Sequence, residues 1–183
     1  MYKSLIAAAA MLVASTPALA GTVSGEVRFA DTRGGGRADS TEYTLEYKDV
    51  AGPVAYGAEL STKQDPRGIT SKGVVKAGPR ISPIGVYTPA AYVELGRSFN
   101  RGNNYNFWGV GTSLSRPVYG PVSVSVGFRH REGFTLANMV ENRFNAGVSV
   151  KVVEGWSTGA QYYRTRGTTA NSDAVGITVA HSF

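Results

Sequence analysis

Apolar residues recur at every second position from residue 21 onward, in short runs that turn-forming residues separate. Val122 and Val124, for example, alternate with Ser123 and Ser125. A period of two is typical of β-strands with one apolar and one polar face, and no run of comparable length has the helical period. Ten such runs occur, of which the fifth, around residues 91–95, is the weakest. The pattern predicts an all-β fold of ten strands, with eight strands and longer loops as the alternative.

The connections between these runs are of two alternating kinds. Four are short and rich in Gly and Pro, and the other five are mostly longer, polar and basic. Ten strands joined in this way form an antiparallel up-and-down meander, whose two bare edges disappear if the first and last strands pair. The sequence therefore predicts a closed antiparallel up-and-down β-barrel with short turns at one end and longer loops at the other. The short connections lie near residues 49–53, 83–85, 116–121 and 153–155.

Three features indicate that the apolar face of this barrel points outward into a membrane. Many glycines, such as Gly109 and Gly111, lie on the polar face, where they relieve crowding inside a narrow barrel. Aromatic residues of the apolar face cluster near the strand ends, at the two heights of the membrane–water interfaces. The chain also ends on an apolar-face aromatic residue, Phe183. These features predict a transmembrane β-barrel, with a soluble, lipocalin-like periplasmic barrel as the alternative.

Residues 1–20 have the organisation of a secretory signal peptide. Lys3 supplies the positive charge, residues 5–13 form an apolar core, and residues 18–20 are a small-residue cleavage motif. The apolar core is shorter than the roughly 18 residues that a spanning helix needs. We therefore expect export and cleavage, which leaves residues 21–183 as a single barrel domain. The chain has no Cys, which excludes a disulfide framework, a thiolate metal site and a cysteine nucleophile.

The sequence resembles bacterial outer-membrane β-barrel proteins, in the size range of the small OmpX-like and opacity-like barrels. The resemblance is carried by the Ala-Leu-Ala leader motif at residues 18–20 and by the alternating C-terminal run that ends at Phe183. It covers residues 21–183 as a pattern, and no motif identifies a subfamily. The resemblance implies a location in the bacterial outer membrane and a role for Phe183 as the assembly signal that the barrel-assembly machinery reads. His181 stands where the family often has Tyr.

Ten charged residues are predicted to point into the lumen of the barrel. Acidic and basic residues balance in this set, so we expect ion pairs between strands, because an unpaired charge in a narrow interior is costly. The alternative is a water-filled pore whose lining charges tune ion selectivity. The predicted lumen charges are Glu26, Arg28, Glu42, Glu46, Lys48, Glu59, Lys76, Arg80, Glu94 and Lys151.

A basic rim is predicted at the loop end of the barrel. The chain has a net charge of +6 at pH 7, and its positive excess lies in the loops and the adjoining strand ends. Guanidinium groups bind phosphate oxygens well, so we expect some of these residues to contact lipopolysaccharide phosphate, with a generic solvated rim as the alternative. Nucleic-acid binding fits the charge but not the export signal. The predicted rim residues are Arg33, Arg37, Lys63, Arg67, Lys72, Arg97, Arg101, Arg129, Arg131, Arg143, Arg164 and Arg166.

The sequence offers little catalytic chemistry. Its two histidines are His130, which has no serine beside it, and His181, whose neighbour Ser182 points to the opposite face of the strand. Catalysis requires that a nucleophile and its base converge, so we expect that the protein is not an enzyme. No clustering of His or carboxylate residues has metal-ligand spacing, and no metal or cofactor is expected.

These observations predict an integral outer-membrane barrel that serves as a structural protein or as a narrow passive pore for ions and small solutes. A loop-mediated adhesin or receptor at the cell surface is the alternative, although the loops are short for a recognition surface. A lipid A-modifying enzyme is less favoured, because the required nucleophile is missing. The sequence does not indicate the oligomeric state or the physiological solute.

Overall fold

The computed structural model of the protein describes residues 21–33, 38–66, 68–100, 104–134, 139–168 and 171–183. The predicted signal peptide lies outside the described residues. Arg37, Arg67 and Arg101 of the predicted rim also lie outside them. Within the described ranges, no helix is long and apolar enough to cross a membrane.

Ten antiparallel strands form one closed sheet. Neighbours in the chain are neighbours in the sheet, and the first and last strands pair along their whole length, so no edge is left open. This confirms the predicted all-β, up-and-down barrel and its ten strands, and it excludes the eight-strand alternative. The strands are β1 (Thr22–Arg33), β2 (Ala38–Ala51), β3 (Val54–Asp65), β4 (Gly68–Pro79), β5 (Thr88–Asn100), β6 (Tyr105–Tyr119), β7 (Val122–Gly133), β8 (Val140–Val153), β9 (Trp156–Gly167) and β10 (Asn171–Ser182).

The short connections all lie at one end of the barrel, which we call the short-turn end. Each contains a glycine with a left-handed backbone, for example Gly120 at φ 51° and Gly155 at φ 75°, a conformation that glycine adopts without steric cost. One connection is longer than predicted, because β4 ends at Pro79 and the Arg80 amide donates instead to the carbonyl oxygen of Pro53, at 2.7 Å. Arg80 therefore lies beyond the strand in which the sequence pattern placed it.

Apolar side chains cover the outer surface of the barrel. Leu60 is 63% exposed and Val93 is 60% exposed, although both lie in the middle of their strands. A continuous apolar surface of this kind is unfavourable in water and favourable in lipid, and it is the reverse of a lipocalin-like arrangement. A strand of 12 residues tilted by about 40° rises about 30 Å along the barrel axis, which matches the thickness of a bilayer core.

The lumen accommodates large side chains because glycines face them from the neighbouring strand. Tyr92 on β5 lies opposite Gly111 on β6, and Phe107 on β6 lies opposite Gly96 on β5. A Cβ atom added to either glycine would collide with the facing ring. The glycines on the polar face thus make space for lumen side chains, as the sequence predicts.

Candidate functional site

The middle and loop-side part of the lumen contains a connected set of ion pairs, which we call the central cluster: Glu59 on β3, Lys76 on β4, Glu94 on β5, and Arg129 and Arg131 on β7. Arg131 donates to Glu94 through Nε, and its Nη2 lies 3.2 Å from Glu94 Oε2. The same Nη2 lies 3.8 Å from Glu59 Oε1. Because β7 and β3 are separated by three strands, this last contact crosses the lumen.

Glu94 and Arg131 of the central cluster are almost completely shielded from solvent. Glu94 is 1% exposed and Arg131 is 2% exposed, while the neighbouring Ser98 and Phe107 are 0% and 1% exposed. The guanidinium of Arg131 also lies over the ring of Phe107, 4.8 Å from its centroid. The other carboxylate of the cluster, Glu59, accepts a hydrogen bond from Lys76 Nζ at 2.5 Å. The lumen is therefore filled by paired side chains at this height.

A second group of charged residues lies beside the central cluster, on β1, β2 and β8. Arg28 donates to Glu26 at 2.9 Å and to Glu42 at 2.8 Å. Glu141 accepts from Arg129 at 3.0 Å and lies 3.5 Å from the Nη2 of Arg143. Inside the lumen, these contacts pair β1 with β2 and β7 with β8.

The ring of Tyr163 on β9 lies between two of these guanidinium groups. The Cζ atom of Arg28 is 4.1 Å from the ring centroid, and that of Arg143 is 5.6 Å from it. Both distances lie within the range of cation–π attraction, which holds the planar guanidinium groups in fixed orientations.

A cavity of about 760 Å³ occupies the short-turn half of the lumen. Its walls are small and polar, formed by residues such as Ser125, Ser149 and Gly159, and its inner end is formed by Arg28 and Arg129 among others. Residues at the short-turn end, including Gly21, Lys48 and Arg80, surround its mouth. The lumen thus has two unlike halves, one filled by ion pairs and one open toward the short turns.

Seven of the ten predicted lumen charges point into the interior, and three lie at the short-turn end. Of those three, Lys48 has a side chain that is 62% exposed and forms a salt bridge with Glu46 at 2.7 Å. Arg80 follows the end of β4, and Lys151 is exposed near the end of β8. The seven interior residues are Glu26, Arg28, Glu42, Glu46, Glu59, Lys76 and Glu94.

The rim placement predicted for Arg129, Arg131, Arg143 and Lys72 is wrong. The first three face the lumen and pair with carboxylates, and Lys72 lies on β4 between the buried residues Ser61 and Ser98. The physical reason is strand length, because β7 continues to Gly133, β8 begins at Val140 and β4 begins at Gly68. Glu141, which is not among the predicted lumen charges, lies in the lumen near the start of β8 for the same reason, and hydropathy gave no signal for it because residues 141–143 are all polar.

The five remaining described rim residues lie at the loop end of the barrel. Lys63 lies 3.9 Å from Asp65, and Arg166 lies 3.9 Å from Asp173. The other three are Arg33, which ends β1, and Arg97 and Arg164, whose side chains are exposed. Their contact with lipopolysaccharide phosphate stays a prediction.

Both histidines pack against aromatic side chains. The His130 ring lies 5.8 Å from the Trp108 ring, and its Nδ1 is 2.8 Å from Asn142 Oδ1. His181 lies between Trp156 and Phe183, with both centroid distances at 4.5 Å. These contacts are those of interfacial packing.

No protein-family model matches the sequence, and a search of curated proteins finds no match. Solved structures do match. The β domain of the Bordetella autotransporter BrkA has a TM-score of 0.51 at 12% identity, over 90% of this chain and 100% of that one. A bacterial polysaccharide outer-membrane secretin has a TM-score of 0.51 at 9% identity, over 89% of this chain and 65% of that one.

OmpT, an outer-membrane protein of Vibrio cholerae, matches in a form that lacks loop L8. Its TM-score is 0.46 at 14% identity, and the match covers 86% of this chain. The chain spans 62% of the length of that protein. At these identities the comparisons report on fold, and they leave the subfamily unresolved. The closed ten-strand sheet and the two likenesses with a TM-score of 0.51 together show that the chain has the fold of the bacterial outer-membrane β-barrel proteins.

Proposed function

We propose that the protein is an integral barrel of the bacterial outer membrane whose lumen is closed, and that it serves as a structural component of that membrane. The observation that carries this proposal is the burial of Glu94, Ser98, Phe107 and Arg131 on β5, β6 and β7, none of which is more than 2% exposed. Together with the contact of Arg131 to Glu59 across the lumen, this packing supports a lumen without a continuous water path.

The location is supported by the outer surface of the barrel. Apolar side chains cover its middle, and tyrosines lie toward both ends with their hydroxyl groups satisfied by carboxylates. At the short-turn end Tyr47 and Tyr56 donate to Asp49 at 2.8 and 3.0 Å, and at the loop end Tyr162 donates to Asp173 at 2.9 Å. Such rings suit the two interfaces of a bilayer, where one end of the side chain is apolar and the other is hydrated.

The second candidate function is a narrow passive pore, and the cavity favours it. The cavity reaches from the short-turn end to Glu59 and Arg129 of the central cluster. Ions would therefore have only the ion-paired part of the lumen to cross. In this alternative the cluster is a selectivity region rather than a permanent closure.

Conductance of the folded protein in a planar bilayer separates the two functions. After folding has been verified by heat-modifiable gel migration, we expect no discrete current steps from the wild type. The double variant Glu94→Ala/Arg131→Ala removes the pair that fills the lumen and should conduct. Lys48→Ala, at the exposed mouth, is the matched control and should stay silent. Discrete steps from the wild type would overturn the closed-lumen proposal and establish the pore.

A further inference from the structure

Three arginines converge at the inner end of the cavity, two of them directly opposite each other on neighbouring strands. Arg28 comes from β1, Arg129 from β7 and Arg143 from β8, and all three line the cavity. They are close together, since Arg129 and Arg143 are cross-strand partners and the guanidinium groups of Arg28 and Arg143 both lie against the Tyr163 ring. We call them the arginine triad. A group of like charges in a buried position is unfavourable unless anions are close to it.

The arginine triad has Nε–H hydrogen-bond donors without acceptors among the described residues. Carboxylates bind the Nη groups, through Glu26 and Glu42 at Arg28 and through Glu141 at the other two. The Nε–H of each of the three arginines is buried and has no hydrogen-bond acceptor among the described residues, although the Arg129 Nε lies 3.9 Å from Glu94 Oε1. Buried N–H donors are normally satisfied, so an oxyanion that reached these guanidinium groups would supply acceptors for donors that lack them.

The cavity offers a route and a favourable charge for such an acceptor. Its lining includes six cationic side chains and four carboxylates, and two of the cations, Lys48 and Arg80, lie at the exposed mouth. Its volume of about 760 Å³ lies within the range of sites for small molecules. Cations at the mouth raise the local concentration of anions, which would then reach the arginine triad from the short-turn end.

We propose that Arg28, Arg129 and Arg143 form a binding site for a small oxyanion, carrying carboxylate or phosphate oxygens, that enters the barrel from the short-turn end. Tyr163 stabilises the site because its ring fixes the planes of Arg28 and Arg143. The site requires no passage through the central cluster. The triad shares Arg129 with the central cluster, but Arg28 and Arg143 lie outside that cluster, so a change at Arg143 tests binding separately from conductance.

Calorimetric titration of the folded barrel with inorganic phosphate, and separately with acetate, tests the proposal. The protein is kept in an uncharged detergent free of phosphate and phospholipid, so that lipid headgroups do not contribute. Arg143→Gln should weaken phosphate binding by about tenfold, the effect of one charge-assisted hydrogen bond. Arg143→Lys retains the charge but loses the planar fork and should also weaken binding. Lys48→Gln, which removes one charge at the mouth, should change it less than about twofold.

The titration has outcomes that contradict the proposal. Absence of saturable binding of both phosphate and acetate would overturn it. Equal losses in Lys48→Gln and Arg143→Gln would show a diffuse charge effect instead of a site. A response to phosphate alone or to acetate alone would support the site and identify which oxyanion it prefers.

A second measurement leaves the arginines unchanged and so does not depend on the folding of their variants. Because the chain has no Cys, Ser125→Cys creates a single thiol on the cavity wall. Phosphate should slow the labelling of this thiol by a sulfonate-bearing reagent at constant ionic strength. A rate that does not depend on phosphate, measured against chloride as the control salt, would contradict binding in the cavity.

Discussion

The contact between Glu94 and Arg131 allows the energetics of the closed lumen to be tested directly. Glu94→Gln removes the carboxylate that Arg131 contacts through both Nε and Nη2, and it leaves a guanidinium that is 2% exposed. The loss is partly compensated, because Glu59 lies 3.8 Å from Arg131. Arg131→Met is the complementary change, after which Glu94 retains Arg129 at 3.9 Å.

The expected magnitudes follow from the burial of the pair. Removing one partner of a buried ion pair lowers the free energy of unfolding by about 3–5 kcal/mol. Because Glu59 still contacts Arg131 in one single variant and Arg129 still contacts Glu94 in the other, we expect about 3 kcal/mol for each. The double variant Glu94→Gln/Arg131→Met leaves no orphaned charge at this position. It should cost about 3 kcal/mol rather than the sum of about 6, so that the coupling energy is about 3 kcal/mol.

Reversible urea unfolding of the barrel in lipid vesicles measures these energies. Tryptophan fluorescence reports on unfolding: Trp156 lies at the short-turn end, and Trp108 lies on the outer face, next to Gly109, the residue paired with both Glu94 and Arg131. Lys48→Met serves as the control, because its exposed pair with Glu46 should contribute less than about 1 kcal/mol. Strict additivity of the two single variants would refute the reasoning, since it would mean that water screens the pair and that the lumen is hydrated at this level.

Further predictions concern the outer face, the glycines and the rim. Val126→Arg, at the exposed middle of β7, should lower the free energy of unfolding in vesicles by about 2–4 kcal/mol. Phe134→Arg, beyond the end of β7, should lower it by less than about 1 kcal/mol, and equal losses would contradict membrane insertion. Gly111→Ala places a methyl group against the ring of a lumen side chain and should lower the free energy of unfolding in urea by about 1–3 kcal/mol. Gly25→Ala, with open space around it, should leave that free energy unchanged, and an equally small effect of Gly111→Ala would show a loosely packed lumen. Arg164→Gln should slow folding into vesicles that contain phosphorylated lipopolysaccharide and leave folding into zwitterionic vesicles unchanged; slowing in both would contradict phosphate contact.

The face that each residue presents could be predicted from the sequence. Glu59, Lys76 and Glu94 alternate with apolar neighbours, and all three point inward as the period of two requires. Parity is a local property of an extended backbone, so one residue of known orientation determines the others in its strand. The number of strands and their order follow from the same pattern, because short turns force consecutive strands to pair.

The position of a residue along the barrel axis could not be predicted with the same success. Arg129, Arg131 and Arg143 have the correct parity for the lumen, but the sequence placed them in the rim because polar residues follow each apolar run. The strands continue beyond the apolar band, since only the part of a strand that faces lipid must be apolar. Hydropathy therefore marks the membrane-facing part of β7 and β8 and not their ends.

The two halves of the lumen differ because of side-chain size, and this difference separates closure from binding. In the short-turn half, Gly78 and Gly159 lie so close to the neighbouring backbone that a Cβ atom would collide with it. Because these positions carry no side chains, they leave the cavity open. In the other half, arginine, glutamate and phenylalanine fill the space. Glu94 belongs to the filled half and does not line the cavity, whereas Arg143 does.

Glu94→Gln should therefore lower stability with little effect on phosphate binding, and Arg143→Gln should weaken binding without opening the central cluster. A loss of phosphate binding in Glu94→Gln as large as that in Arg143→Gln would show that the two halves act as one unit.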